Sequence, residues 1–304
     1  MFTKNQISLI HLLEGMDCDV LRDADVSFVA KVPNRLARRL VPCSERSHLV
    51  QAISAEGVAG VIVPNALVGQ VPSCFGLVVA ENPVATAIIA HERLAAMPDF
   101  LWTTFQSKVS TDSRVEDRAY IAPFDVVIGS GVIIQQGAVI LPRTIIGDGS
   151  VIGPGSIVGC DAFQVAKVAG RHRIIRQVGG VRIGTNVEIQ ANCTVSRAIF
   201  GGFTEVGDET LIDSQVHIGH DCTIGRKVLI ANQASIAGRV EVGDNCYLAP
   251  NVTISNGLSL AEGSQVTIGS VLMRNTKPGE KVTGYNAQTH QQWMLQSIRA
   301  QRLK

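Results

Sequence analysis

Aromatic side chains make up only 5% of the 304 residues, so small and branched aliphatic residues must fill whatever core this chain builds. Charged residues are also scarce, at 17% against a usual share of about 25%. The 27 basic and 26 acidic side chains nearly cancel, leaving no global field to draw the chain to nucleic acid or to a membrane surface. Seven cysteines, at 18, 43, 74, 160, 193, 222 and 246, form no CxxC and no paired spacing. That argues against a zinc cluster or a disulfide framework and predicts free thiols in a reducing compartment. No apolar run reaches membrane-spanning length, and MFTKNQISLI lacks the apolar core of a signal peptide. The expectation is a soluble, cytoplasmic chain with no integral membrane segment. What the sequence does hold is 46% hydrophobic residues and 29 glycines, which suggests extensive β-structure with tight corners.

The dominant pattern is an aliphatic residue every six positions. It runs Ile128, Ile134, Ile140, Ile146, Ile152 and Val158, then Ile183, Ile189 and Val195. A third run keeps one register from Val206 through Ile212, Ile218, Ile224, Ile230, Ile236, Val242, Leu248, Ile254, Leu260 and Val266 to Leu272. An even period fits alternating strand geometry and does not fit a helix of 3.6 residues per turn. Small or β-branched residues sit two positions earlier (Cys222, Val228, Ala234, Val240, Cys246), and the following residue is often glycine. Together these describe a prism-shaped parallel β-helix. Three hexapeptides make one coil, so residues 18 apart stack about 4.8 Å from each other.

The repeat occupies residues 106–275 and breaks twice. Residues 159–182 carry five basic side chains and a histidine, and residues 196–205 form a shorter break. Both are expected to leave one corner as loops, which either shape a binding site or are solvated decoration. Residues 1–105 are not repetitive. SHLVQAISAEGV and VATAIIAHERLAAM read as helices, and GVIVP and GLVV as buried strands, giving a small α/β domain for nucleotide or sugar recognition. Residues 98–112 read as a linker. Residues 276–304 read as an exit turn followed by a short basic helix with Trp293, Met294, Leu295 and Ile298 available for packing.

Several stretches resemble the UDP-3-O-acylglucosamine N-acyltransferases of lipid A synthesis, and more distantly the UDP-N-acetylglucosamine O-acyltransferases. They are AGVIVP…GLVVAENP, QVGGVRIGTNVEIQANCTV, LIDSQVHIGHDCTIG and SVLMRNTKPGEKVTGY. The resemblance covers nearly the whole chain. It implies a mainly β fold, a left-handed parallel β-helix with a small N-terminal α/β domain and a short C-terminal helix, assembled as a homotrimer with sites between subunits. The implied reaction moves an acyl group from acyl carrier protein phosphopantetheine or coenzyme A to the amine of a nucleotide-activated amino sugar. No tightly bound cofactor and no metal are implied.

By the same resemblance, the catalytic histidine is His220, the carboxylate orienting it is Asp213, and the oxyanion donor is the backbone amide of Gly238. The spacing is consistent with this, because Gly238 lies 18 residues after His220 and so one coil above it. A neutral imidazole can take a proton from an attacking amine, and a carboxylate behind it fixes the tautomer. A corner amide can approach a developing oxyanion closely. His217, Arg197, Asn232 and Gln233 are substrate-binding candidates, although His217 reads equally well as an exposed residue of the repeat. Arg274 and Val271 are candidates for the carrier arm and the acyl chain.

The chain departs from the family pattern in four places. Residues 37–49, ARRLVPCSERSHL, have Arg39 and Glu45 where aromatics hold uracil. SNGLS lacks the family's second histidine, TVSRA keeps Arg197 but has Ser196 in place of an acid, and the terminal helical part is short. These mark a diverged member, acting in lipid A or another surface glycan. Three other readings remain open: an O-acyltransferase of the same fold, a zinc-dependent γ-carbonic-anhydrase-like protein using His217, His220 and His172, and a non-catalytic trimeric scaffold.

Overall fold

A computed structural model of the chain describes residues 5–284 except 33, 35 and 169, together with 292, 294, 295 and 298. The hexapeptides form a left-handed parallel β-helix whose coils stack into three flat faces. The first face begins at Lys108–Val109, the second at Arg114–Val115 and the third at Tyr120–Ile121, each paired in parallel with the next strand of its face. Register runs straight up each face. On the third, Thr194, His217, Ser235, Thr253 and Val271 lie above one another. The second face continues past 275 to Lys281–Val282, which pairs with Gln265–Val266.

The period-six aliphatics and the small residues two positions before them all point inward and form one continuous core. One aliphatic per face fills the prism, which explains why so few aromatics suffice. Each corner turns on a residue three positions after the aliphatic, held at positive φ. Glycine takes this place at many corners, among them Gly131, Gly137, Gly257, Gly263 and Gly269, while Arg143, Asp221, Lys227, Gln233, Arg239, Asn245 and Asn251 take it at others. A non-glycine residue there costs about 1 kcal/mol or more, so the ladder and the core must offset it. Ile140 is fully buried in this column. Ile140→Ala should lower unfolding stability in urea by about 2–5 kcal/mol; a change below about 0.5 kcal/mol would contradict the packed column.

The N-terminal unit holds a five-stranded sheet in the spatial order Asp19–Arg22, Gly76–Val79, Val58–Val63, Arg39–Pro42, Phe28–Val29. Its first pairing is antiparallel and the other three are parallel. Helix α1 spans Leu9–Leu13, α2 spans Arg46–Ser54 and α3 spans Pro83–Ala96. Pro83 and the Asn82 side chain, which accepts from the Ala85 amide at 3.0 Å, start α3.

The first excursion is shorter and more ordered than a loop over 159–182. The ladder holds through Cys160 and resumes at Gly180, and between them Val165–Val168 and Arg171–Ile174 pair as an antiparallel hairpin. Neither excursion is mere decoration. Ile175 of the first and Ile199 and Phe200 of the second bury themselves with Ala30 and Ile88 of the N-terminal unit. His91 on α3 reaches the Arg176 carbonyl at 2.8 Å and meets Phe200 edge-on. The linker is anchored too, since Trp102 is buried against Phe105, Phe203 and the Arg143 guanidinium. The expected terminal basic helix, with Trp293, lies almost wholly outside the described residues. No helix among the described residues is long and apolar enough to cross a membrane.

Candidate functional site

Strand His217–Ile218 lies on the third face, and the chain then turns through Gly219 and His220 to Asp221 at φ 56°. This left-handed turn folds the Asp221 side chain back beside the residue before it. His220 Nδ1 and Asp221 Oδ2 lie 2.7 Å apart, with only 12% and 11% of the two side chains exposed. A carboxylate only accepts, so the matching tautomer carries its hydrogen on Nδ1 and keeps a lone pair on Nε2.

The second excursion locks the acid. The Ile199 amide donates to Asp221 Oδ1 at 3.3 Å, and the Asp221 amide donates to the hydroxyl of the buried Thr204 at 2.9 Å. One coil up, Gly238 lies directly against the imidazole. A methyl group built there would fall 2.5 Å from Cε1 and 2.8 Å from Cδ2, and nearer still to Nε2. Among the described residues the Gly238 N–H donates to no backbone carbonyl, while its own carbonyl accepts from Gly257. The Cys222 thiol just behind the dyad is pushed up to about 12 by burial, so it stays protonated and non-nucleophilic.

Asp213 does not orient His220 within the chain. Its carboxylate accepts from the Ser214 amide at 2.7 Å, at the corner between the second and third faces. Asp213 comes seven residues before His220, so the three-faced coil moves it one corner away. Asn232 and Gln233 stand at that same corner one coil higher, where Gln233 donates to Gln215 at 2.9 Å. His217 sits on the third face between the two corners, exposed on one side. The protein on its other side and then the nearby His220 hold its imidazole below the ordinary histidine value.

Arg197 is committed elsewhere. Its guanidinium donates to the Gly159 carbonyl at 2.7 Å and pairs with Asp161 at 3.2 Å, stapling the base of the first excursion. Arg274 is held by a two-pronged pair with Glu280, at 2.8 and 3.1 Å, which keeps the Glu280 carboxyl down at about 2. Beside it Val271 and Met273 are largely exposed and help line a cavity of about 390 Å³ at the end of the coils. Among the described residues no group of three or more His, Cys, Asp or Glu is placed to hold a metal ion. His172, needed to complete a zinc triad, sits exposed on the hairpin.

The bacterial transferase hexapeptide family (six repeats) matches residues 125–160, 203–238 and 223–256. The structure of a UDP-N-acetylglucosamine acyltransferase from Campylobacter jejuni is 31% identical, with a TM-score of 0.53, over 59% of this chain and 68% of that one. The chain belongs to the hexapeptide-repeat acyltransferase family. Within that family it is 45% identical over 136 residues to UDP-3-O-acylglucosamine N-acyltransferase 2 of Legionella pneumophila, a match covering 45% of this chain and 39% of the relative. It is 43% identical over 144 residues to the UDP-3-O-acylglucosamine N-acyltransferase of Shewanella denitrificans, covering 47% and 42%. The chain thus spans about two-fifths of the length of these acyltransferase relatives.

The sequence reading missed Asp221, although it is the very next residue after His220. Its signal was the corner rule: the third residue after each core aliphatic turns left-handed and folds back on its neighbour. If the dyad works as built, Asp221→Asn should reduce turnover about 10²–10⁴-fold by spoiling the tautomer, while Asp213→Asn leaves turnover within about threefold. Steady-state kinetics showing the reverse order would reinstate Asp213, supplied from another copy of the chain.

Proposed function

We propose that this chain transfers an acyl group from a thioester, on acyl carrier protein or coenzyme A, to the amine of a nucleotide-linked amino sugar. The observation that carries this reading is the buried Asp221–His220 pair, whose free Nε2 lies against the corner at Gly238. Nε2 takes the proton as the amine nitrogen attacks the thioester carbonyl. The C–N bond forms, the carbonyl electrons move to oxygen, and the Gly238 N–H donates to that oxyanion. Collapse breaks the C–S bond, and the imidazolium returns its proton to the departing thiolate. No covalent enzyme intermediate is needed. Val271, Met273 and Arg274 at the end of the third face are suited to the acyl chain and the carrier arm, with Arg274 exchanging Glu280 for a phosphate.

The N-acyltransferase relatives support an amine acceptor, and a place in lipid A or surface-glycan synthesis is part of the reading. A homotrimer is part of the reading. Leu211, Leu229 and Tyr247 form an exposed apolar column on the second face, 46%, 45% and 41% exposed, which a second copy would cover. The test is thiol release with acetyl and longer acyl thioesters on both carriers, against UDP-, dTDP- and GDP-linked amino sugars. Release requiring one amino sugar and one thioester supports the reading. Release with the hydroxyl analogue alone would make it an O-acyltransferase, and no release from a folded assembly would leave a scaffold.

A further inference from the structure

His91 belongs to the N-terminal unit, on α3, and is fully buried. The Arg176 carbonyl can only accept, so the 2.8 Å contact places the imidazole hydrogen on Nε2. Nδ1 is then a bare lone pair, buried and without a hydrogen-bond partner. Burial, ahead of any neighbouring charge, holds the ring below the ordinary histidine value, so it stays neutral. An unpaired ring nitrogen in the interior costs free energy that an aliphatic side chain of similar size would not. Packing alone therefore does not call for histidine at this position; the contact with Arg176 does.

A short line of hydrogen bonds leads from that contact to the dyad. Two residues past Arg176, the Val178 amide donates to the Ile199 carbonyl at 2.8 Å, and the Gly179 amide donates to the Ala198 carbonyl at 3.0 Å. The returning limb of the first excursion is thus strapped to the second. The Ile199 amide donates in turn to Asp221 Oδ1, and the other carboxylate oxygen takes the His220 Nδ1 hydrogen. A ring contact runs alongside, since His91 meets Phe200, the residue after Ile199, with centroids 4.9 Å apart. The N-terminal unit presses on the same segment again at Gly201, where an added methyl group would fall 2.8 Å from the Phe28 ring. The Ile199 contact, at 3.3 Å, is the longest in the line, so a small shift of the excursion is enough to release the carboxylate.

We propose that His91 is a positioning residue for the dyad, holding the two excursions so that the Ile199 amide fixes the Asp221 carboxylate. This rests on the reading that His220 is the general base. The N-terminal unit then sets the geometry of proton transfer without touching the reacting atoms.

Two variants separate ring from donor: His91→Phe keeps a ring, and His91→Gln keeps an N–H of similar reach. His91→Phe should lower kcat about 10- to 100-fold with KM for either substrate within about twofold, and His91→Gln should recover most of the loss. The cycle with Asp221→Asn decides how the loss arises. With the carboxylate already disabled, His91→Phe should cost less than about threefold; the full loss in both backgrounds would mean that it acts through the fold at large, and the proposal fails. Nitrogen NMR of the histidine rings in the full chain reads the tautomer without any substrate, with His220→Ala assigning the signal. Wild type should hold the His220 hydrogen on Nδ1, and His91→Phe should show a mixture of both tautomers. An unchanged His220 signal overturns the proposal. If the tautomer spreads while no thioester and acceptor pair ever releases thiol, the positioning role stands and the acyl-transfer reading falls.

Discussion

His220→Ala should lower kcat/KM for acyl transfer by about 10²–10⁴-fold while the chain stays folded and assembled. The size follows from what the residue loses. The Asp221 carboxylate fixes one tautomer, the second excursion fixes the carboxylate, and the base is held with little freedom. Deleting it leaves binding and the proposed oxyanion donor, so residual turnover above the uncatalysed rate is expected. Thiol release followed against a sulfhydryl reagent measures the loss, and circular dichroism with sizing checks the fold. Activity within about threefold of wild type would mean that the proton goes elsewhere and that the dyad is a structural pair.

Gly238→Ala should be nearly as damaging, by a different route. The added methyl would overlap the imidazole itself, so either the ring swings off Asp221 or the corner moves. Both disturb the alignment of base and amide donor, and losing one such donor typically costs about 10²–10³ in kcat. The cavity between the N-terminal unit and the coils should be left intact, since it is lined by Gly257 and Arg239 rather than by Gly238. The informative comparison is the double variant. With His220 already alanine there is no ring to displace, so adding Gly238→Ala should cost much less than it does alone. Full additivity would show that Gly238 acts through the amide only, and a single variant with wild-type kcat would remove it from the mechanism.

The two excursions show how local signals stop short. The loss of the six-residue period marked them as interruptions, but nothing in their composition distinguishes a solvated loop from a docked one. Ile175, Ile199 and Phe200 decide the matter only by meeting Ala30 and Ile88, which lie far earlier in the chain. Arg197 illustrates the same gap. The resemblance made it a substrate contact, yet the Gly159 carbonyl and Asp161 claim it, because strand pairing sets Ser196 over Cys160 in the neighbouring coil.

By itself the sequence determined the prism, its three faces, the residues that fill it and the stacking of His220 under Gly238. Each depends on a period of six repeated with alternating strand geometry, a rule local enough to read from neighbours along the chain. The choice of Asp221 over Asp213 depended on which corner each residue turns, a left-handed backbone conformation that residue type alone does not fix. The docking of both excursions, and the cavity that Lys31 and Arg239 share, depended on how the N-terminal unit seats against the coils. Those contacts join segments far apart in the chain, where no periodicity links them, and only the packed tertiary structure brings their charges and apolar surfaces together.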